Sequence, residues 1–321
     1  MTSRWLAGDF ERQKGGKKSA YSLAFCVQVC YNRAKSVVQR INTEVLHMKW
    51  LALLLNVLVV VLGGGIGAML GTGKSGHLRL RKFIAPIGGL LLMGLGFKGG
   101  LDAMFIFSGA SKQIESTGMI LAVLFLVLGW ICGYAFMFDT VFRELVELLL
   151  FDVWHVFSPK NNRQSSLIAP KLPDDGFGDP KKQISWGFLL AVIAFAVSPM
   201  AIFGATDTGS TILFIKCAVD LVLAIILGII CGYGVIFSAA IVLVVELILM
   251  LLSAFGGFII TDTVIHQMAF IGAVIMVIAG VSLSFEKKIK VGHFLPALIL
   301  PPLLELIATV VYWLTNVKIV K

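Results

Sequence analysis

The stretch Leu51–Leu70, L-A-L-L-L-N-V-L-V-V-V-L-G-G-G-I-G-A-M-L, carries no charged side chain. A helix rising 1.5 Å per residue needs about 20 apolar residues to cross a hydrocarbon core roughly 30 Å thick. Backbone amides in that core find no water, so a crossing segment must satisfy them within itself, as a helix does. Comparable runs follow at 83–107, 117–138, 185–204, 211–233, 235–256, 265–284 and 292–314. The expected architecture is an all-α polytopic transmembrane helical bundle of about eight spans, or seven if one is re-entrant.

Composition points the same way. Of 321 residues, 58% are hydrophobic and 14% charged, against roughly 25% charged in an ordinary soluble domain. The mean hydropathy is +0.93. The formal charge of +9 raises the question of a nucleic-acid partner, and the placement of the charges argues against one. Eight Lys and Arg against three acids lie in residues 1–48. Most of the other basic residues sit in short loops beside apolar runs, where they set membrane orientation rather than line a nucleic-acid groove. The expected partner is the lipid bilayer.

Residues 72–82, 139–184 and 285–291 hold four, six and three Lys and Arg, all on one side of an eight-span arrangement. The other side has Lys49, Lys112, Lys318 and Lys321. Basic loops stay in the cytoplasm, so both ends of the hydrophobic body are expected outside. The basic extension 1–47 conflicts with that orientation. Three resolutions stand open: a start at Met48, processing of the extension, or one re-entrant span. Met48 opening directly onto an apolar run favours the first.

Four parts are expected: the extension 1–47, a first membrane half 48–157, a linker 158–184 and a second half 185–321. The first half ends in an amphipathic stretch, Asp139–Phe157, with Phe142, Leu145, Leu149, Val153 and Val156 at helical spacing, suited to the membrane interface. The linker is rich in Pro, Asn and Asp. An internal echo suggests duplication. G-W-I-C-G-Y from Gly129 matches G-I-I-C-G-Y from Gly228, and M-F-I-F-S-G from Met104 matches M-A-I-F-G-A from Met200. Inverted or parallel repeats are common in transporters, whereas a small apolar alphabet also produces chance matches.

Ala68–Ser75, A-M-L-G-T-G-K-S, fits a loose phosphate-loop formula. That loop needs a strand before it, and the preceding run reads as a spanning helix, so a turn whose Lys74 orients the first span is the better reading. The five cysteines form no C-x-x-C pair, and no metal or cofactor is expected. Paired catalytic carboxylates, or a nucleophile with a base, are likewise not evident, so the chain is read as no enzyme.

Charges inside apolar spans are more informative. Lys98 and Asp102 share one helix face at i, i+4, as do Lys216 and Asp220. Asp220 lies roughly 13 Å into its span, where a charge costs about 2.5–3.5 kcal/mol and belongs against protein or water. Two readings compete: mutual neutralisation that fastens helices, and a solute or ion path. Gly99 and Gly100 in the second span and Ser198 and Pro199 in the fourth suggest helices broken at matching places, which favours the path. Asn56 ahead of four glycines suits close helix packing with an interhelical hydrogen bond. Asp207 reads as a loop acid at the outer mouth. Glu246 and Glu305 lie within apolar stretches, as Asp220 does, while His266 and His293 near span ends read as interfacial.

Four segments carry a resemblance: L-N-V-L-V-V-V-L-G-G-G-I-G from Leu55, S-P-M-A-I-F-G-A-T-D-T-G from Ser198, K-C-A-V-D from Lys216 and K-I-K-V-G-H-F-L-P-A-L from Lys288. The body from Met48 onward resembles the family called domain of unknown function 554, the YdfK and YqgA-like proteins. The resemblance implies a multi-span protein of the bacterial cytoplasmic membrane and marks Asn56, Gly204, Asp207, Lys216 and Asp220. The functional expectation is a transporter or permease for a small solute or ion, with Asn56, Lys98, Asp102, Gly204, Asp207, Lys216, Asp220 and Glu246 as candidate residues of its pathway. The alternative is a non-transporting scaffold or regulator. A homo-oligomer is left open.

Overall fold

Leucines that a water-soluble helix would bury point outward along this chain. In the first span Leu54, Leu58 and Leu62 are exposed, while Ala52, Asn56, Val60 and Ala68 are buried. The enclosed face is thus the one with the polar and small residues, as expected where lipid tails are as apolar as leucine and helices associate by close packing. The computed structural model describes residues 43–71, 77–107, 112–141, 144, 180–206, 211–255, 260–285 and 289–319. Its contacts form two units, Met1–Leu46 and His47–Lys321, and the second holds every candidate span.

The helices are α1 (Thr43–Gly71), α2 (His77–Phe107), α3 (Lys112–Ala135), α4 (Pro180–Ala196), α5 (Pro199–Thr206), α6 (Thr211–Cys231), α7 (Gly234–Phe255), α8 (Asp262–Ser284) and α9 (Leu300–Ile319). No strand occurs among the described residues. A 3₁₀ segment, Val291–Leu298, leads into α9. Seven spans are long and apolar enough to cross a membrane, and α4 with α5 makes an eighth, bent by 45°. The chain is a multi-pass membrane protein, with span positions close to those the hydropathy dictates.

The bent pair crosses the bundle instead of turning back. Gly187 of α4 packs on Cys231 at the end of α6, and Gly204 of α5 packs on Leu213 near its start. As numbering rises through α4 and α5 it falls along α6, so both pieces run antiparallel to α6 over its whole length. Other contacts obey the same alternation. Gly89 and Gly96 of α2 meet Gly280 and Ala273 of α8, an antiparallel pairing, and Gly129 and Gly133 of α3 meet Ala297 and His293 of the last span, another. Among the described residues these directions fit alternating crossings, up to eight with the bent pair counted as one span.

α1 and α6, the first and fifth spans, therefore run parallel. Gly63 faces Ala224 and Gly67 faces Gly228, while a β-carbon at Gly228 would lie 2.7 Å from the Gly64 carbonyl oxygen. Only glycine allows backbones that close. α4 is enclosed on nearly every side, from Gly187 to Ala196, and forms the axis of the main core with α6, α7 and α8. A helix apolar all round belongs in such a position.

Two expectations need correction. α2 is continuous through Gly99 and Gly100, which serve as contact surface: Gly99 abuts Pro199 and Gly100 faces Ala273. Among the described residues the one sharply bent span is the fourth. The linker, expected over 158–184, gives way to helix at Pro180, which occupies the first helical position, where a missing N–H costs nothing. Most of the amphipathic stretch 139–157, the linker up to 179, and Thr72–Gly76 with Lys74 lie outside the described residues. Helix α1 continues to Gly71, so no strand precedes the phosphate-loop-like stretch.

Two outcomes test this arrangement. Gly228→Leu should destabilise the detergent-purified protein by about 1–3 kcal/mol, the cost of overpacking, seen as a lower unfolding midpoint. In a background without native cysteines, an impermeant maleimide should label cysteines at Lys182 and Thr211 from opposite membrane faces; labelling from one face would mean that α4 and α5 re-enter.

Candidate functional site

Lys216 and Asp220 stand one turn apart on α6, 0% and 2% exposed. The Lys216 ammonium bonds to the Asp220 carboxylate and lies 3.0 Å from Glu246 Oε1 on α7. Asn56 of α1 donates its Nδ2 hydrogen to the same Glu246 Oε1 at 3.0 Å. Three helices thus converge on one buried charged cluster.

The convergence is a matter of register. α6 and α7 are joined by a tight reversal at Gly232, whose φ is 74°, a left-handed value that glycine adopts without strain. Asp220 and Glu246 lie at similar distances from this reversal along their two helices, so the hairpin sets them at one depth. The glycine contacts then align α1 with α6, bringing Asn56 beside Cys217, whose thiol donates to the Ala52 carbonyl at 3.5 Å. Neither Asn56 nor Glu246 reaches the cluster by local sequence.

The electrostatics are uneven. One ammonium faces two carboxylates, so with all three ionised the cluster carries one net negative charge. Asp220 is enclosed by Lys216 on one side and by the helix break on the other. Pro199 supplies no N–H and its ring disfavours a continuous helix, while Ser198 starts α5 by accepting the Ala201 N–H on its Oγ at 3.2 Å. Asp220, Ser198, Pro199, Met200, Leu95 and Met276 line a cavity of about 10 Å³, room for a single water. The N-terminal end of α5 therefore faces a carboxylate, which its dipole favours. At the other end, the Lys49 ammonium reaches the Ala205 carbonyl at 3.4 Å, the complementary arrangement.

Of the residues marked by sequence, Asn56, Lys216, Asp220 and Glu246 come together. Gly204 is buried nearby in α5, where a β-carbon would lie 2.9 Å from Leu213; it provides the α5–α6 contact. Lys98 and Asp102 do not join the cluster. They pair with each other at 2.6 Å, with side chains 64% and 48% exposed, on the outer flank of α2, because Leu92, Gly96, Gly99 and Ala103 take the inward face. Asp207 lies outside the described residues. Glu305 is half-buried on the mostly exposed α9. His293, expected at the interface, is buried and its Nδ1 lies 2.9 Å from the Gly133 carbonyl. The helix-terminal role of Lys49 and the Cys217 hydrogen bond had no signal in the sequence beyond closeness to the span start and to Lys216.

Comparison with known families finds one model, described as "Protein of unknown function (DUF554)", that matches residues 51–306. A search of curated proteins gives no match, and neither does a search of solved structures.

The charge count yields a directional test. Lys216→Met leaves two buried carboxylates without a counter-charge and should cost about 3–5 kcal/mol. Glu246→Gln brings the formal count to zero and should cost less. Unfolding midpoints in detergent would compare them, and equal losses would mean that the three charges are not coupled.

Proposed function

Starting from the premise that the chain belongs to the DUF554 family of proteins of unknown function, we propose that it is a permease for a small solute or ion. The observation that carries this reading is Asp220, a buried and charge-coupled carboxylate set against the break in the most enclosed span. Intramembrane ionisable groups are expensive and mark transport paths in membrane bundles. Discontinuous helices, whose ends present backbone dipoles near the membrane midplane, are a recurring device of secondary transporters.

In this reading the cluster is the binding centre and the Ser198–Pro199 break is the moving part. α5 ends on polar contacts, with Ser253 Oγ donating to the Thr206 carbonyl at 3.2 Å and Lys49 holding Ala205. Such contacts can be exchanged at lower cost than interdigitated apolar packing. A tilt of α5 about the break would open the small cavity toward one face. The two echoing segments of the sequence agree with an ancestral duplication of the kind transporters often carry. The family resemblance and the loop charges support a bacterial cytoplasmic membrane as the host, with the basic loops inside.

The test is solute-evoked current from proteoliposomes across a broad screen of small ions and solutes. Asp220→Asn should lower the response at least about tenfold, the scale of one lost charge contact, whereas Lys98→Met should leave it close to wild type. Unchanged flux in Asp220→Asn would refute the path. A complete absence of current would favour the scaffold role.

A further inference from the structure

The cluster leaves specific atoms without a partner. Glu246 uses Oε1 for both Lys216 and Asn56, and its Oε2 is buried without a protein hydrogen-bond partner. Asn56 donates through Nδ2, and its Oδ1 is buried and unpartnered too. Both residues are almost fully enclosed, at 1% and 0% exposure. Both orphan atoms are acceptors. Orphan donors would call for an anion, whereas two acceptor oxygens on one hydrogen-bonded pair call for a donor or a cation.

Charge counting independently gives the same sign. The groups facing Glu246 are Lys216 and Asp220 from α6 and Asn56 from α1, with the Cys217 thiol beside Lys216. The next cation along α1, Lys49, is held at the Ala205 carbonyl. The described partners thus supply one positive charge for two carboxylates, and the enclosure is one in which an uncompensated charge is costly.

We propose that the Asn56–Glu246 pair is a binding site for one monovalent cation, a proton or an alkali ion, received at Glu246 Oε2 and Asn56 Oδ1. A proton would form an O–H bond at Oε2 and turn that oxygen into a donor; an alkali ion would be ligated by both oxygens directly. Either brings the cluster to neutrality. A divalent ion would overshoot that charge. The inference rests on the permease reading, within which this cation is the coupling ion or the cargo.

The test reads binding on the full chain in detergent, apart from flux. In the first arm, the unfolding midpoint is followed against NaCl or KCl, with choline chloride holding ionic strength constant. In the second, infrared spectra at neutral pH in choline chloride are searched for the C=O stretch of a protonated carboxylic acid. An alkali ion predicts a saturable rise in midpoint that Glu246→Gln removes, and whose half-effect concentration Asn56→Ala raises by about tenfold, the equivalent of one lost polar ligand. A proton predicts no alkali effect and a carboxylic-acid band that Glu246→Gln abolishes and Asn56→Ala shifts. If Glu246→Gln does not fold, Asn56→Ala decides alone, because it keeps the carboxylate. The absence of both a saturable alkali effect and a band sensitive to these substitutions would overturn the proposal. If binding fails while Asp220-dependent flux persists, the cation site falls and the permease stands; if binding holds with no flux of any solute, the permease reading falls instead.

Discussion

The close approach of α1 to α6 is the constraint on which the rest of the bundle depends. In lipid there is little hydrophobic gain in bringing two apolar helices together, so the gain has to come from backbone proximity. Gly63, Gly64 and Gly67 on one helix and Ala224 and Gly228 on the other supply it. This contact fixes helix direction, by making the first and fifth spans parallel, and it fixes register, by bringing Asn56 to the depth of Lys216. Without that register Glu246 would lose its neutral partner and α7 its polar link to α1.

A second level of organisation follows from the break in the fourth span. Proline alone does not account for it: α2 carries Pro86 in its interior and continues. Membrane helices tolerate such residues where neighbours compensate. At Pro199 the adjacent Ser198 begins a new helix by capping it. The two ends of that short helix then face charges of opposite sign, Asp220 and Lys49. Dipole, cap and ion cluster therefore form one unit around α5.

The span pattern was legible in the sequence because membrane crossing is a matter of length and apolarity within one segment, both local properties. The pairing of Lys216 with Asp220 was legible for the same reason, since i, i+4 spacing alone puts them together. The rest of the cluster was not, because Asn56 and Glu246 lie 190 residues apart and meet only through the glycine register and the Gly232 reversal. Lys98 and Asp102 show the converse failure. Their spacing is identical to that of Lys216 and Asp220, but which face of a helix turns inward is decided by neighbouring helices, and α2 turns its glycines in. The same ambiguity misled the reading of Gly99 and Gly100: in a span, a glycine serves as a break or as a seat for another helix, and Pro199 sits on Gly99. The family match to residues 51–306 agrees with the resemblance carried by the same segments.

The parallel pairing of α1 with α6 also has a consequence in time. Chains emerge at roughly 5–20 residues per second, so Asn56 waits on the order of ten to forty seconds before Glu246 is made. During that interval the glycine face of α1 has no mate, and α6 enters the bilayer before α7 with its two charges already adjacent. The i, i+4 pairing of Lys216 and Asp220 makes α6 self-sufficient for that passage. Assembly order is thus written into the spacing: the charges that must enter early neutralise each other within one helix, and the carboxylate left in excess arrives last, when the rest of the cluster stands ready to receive it.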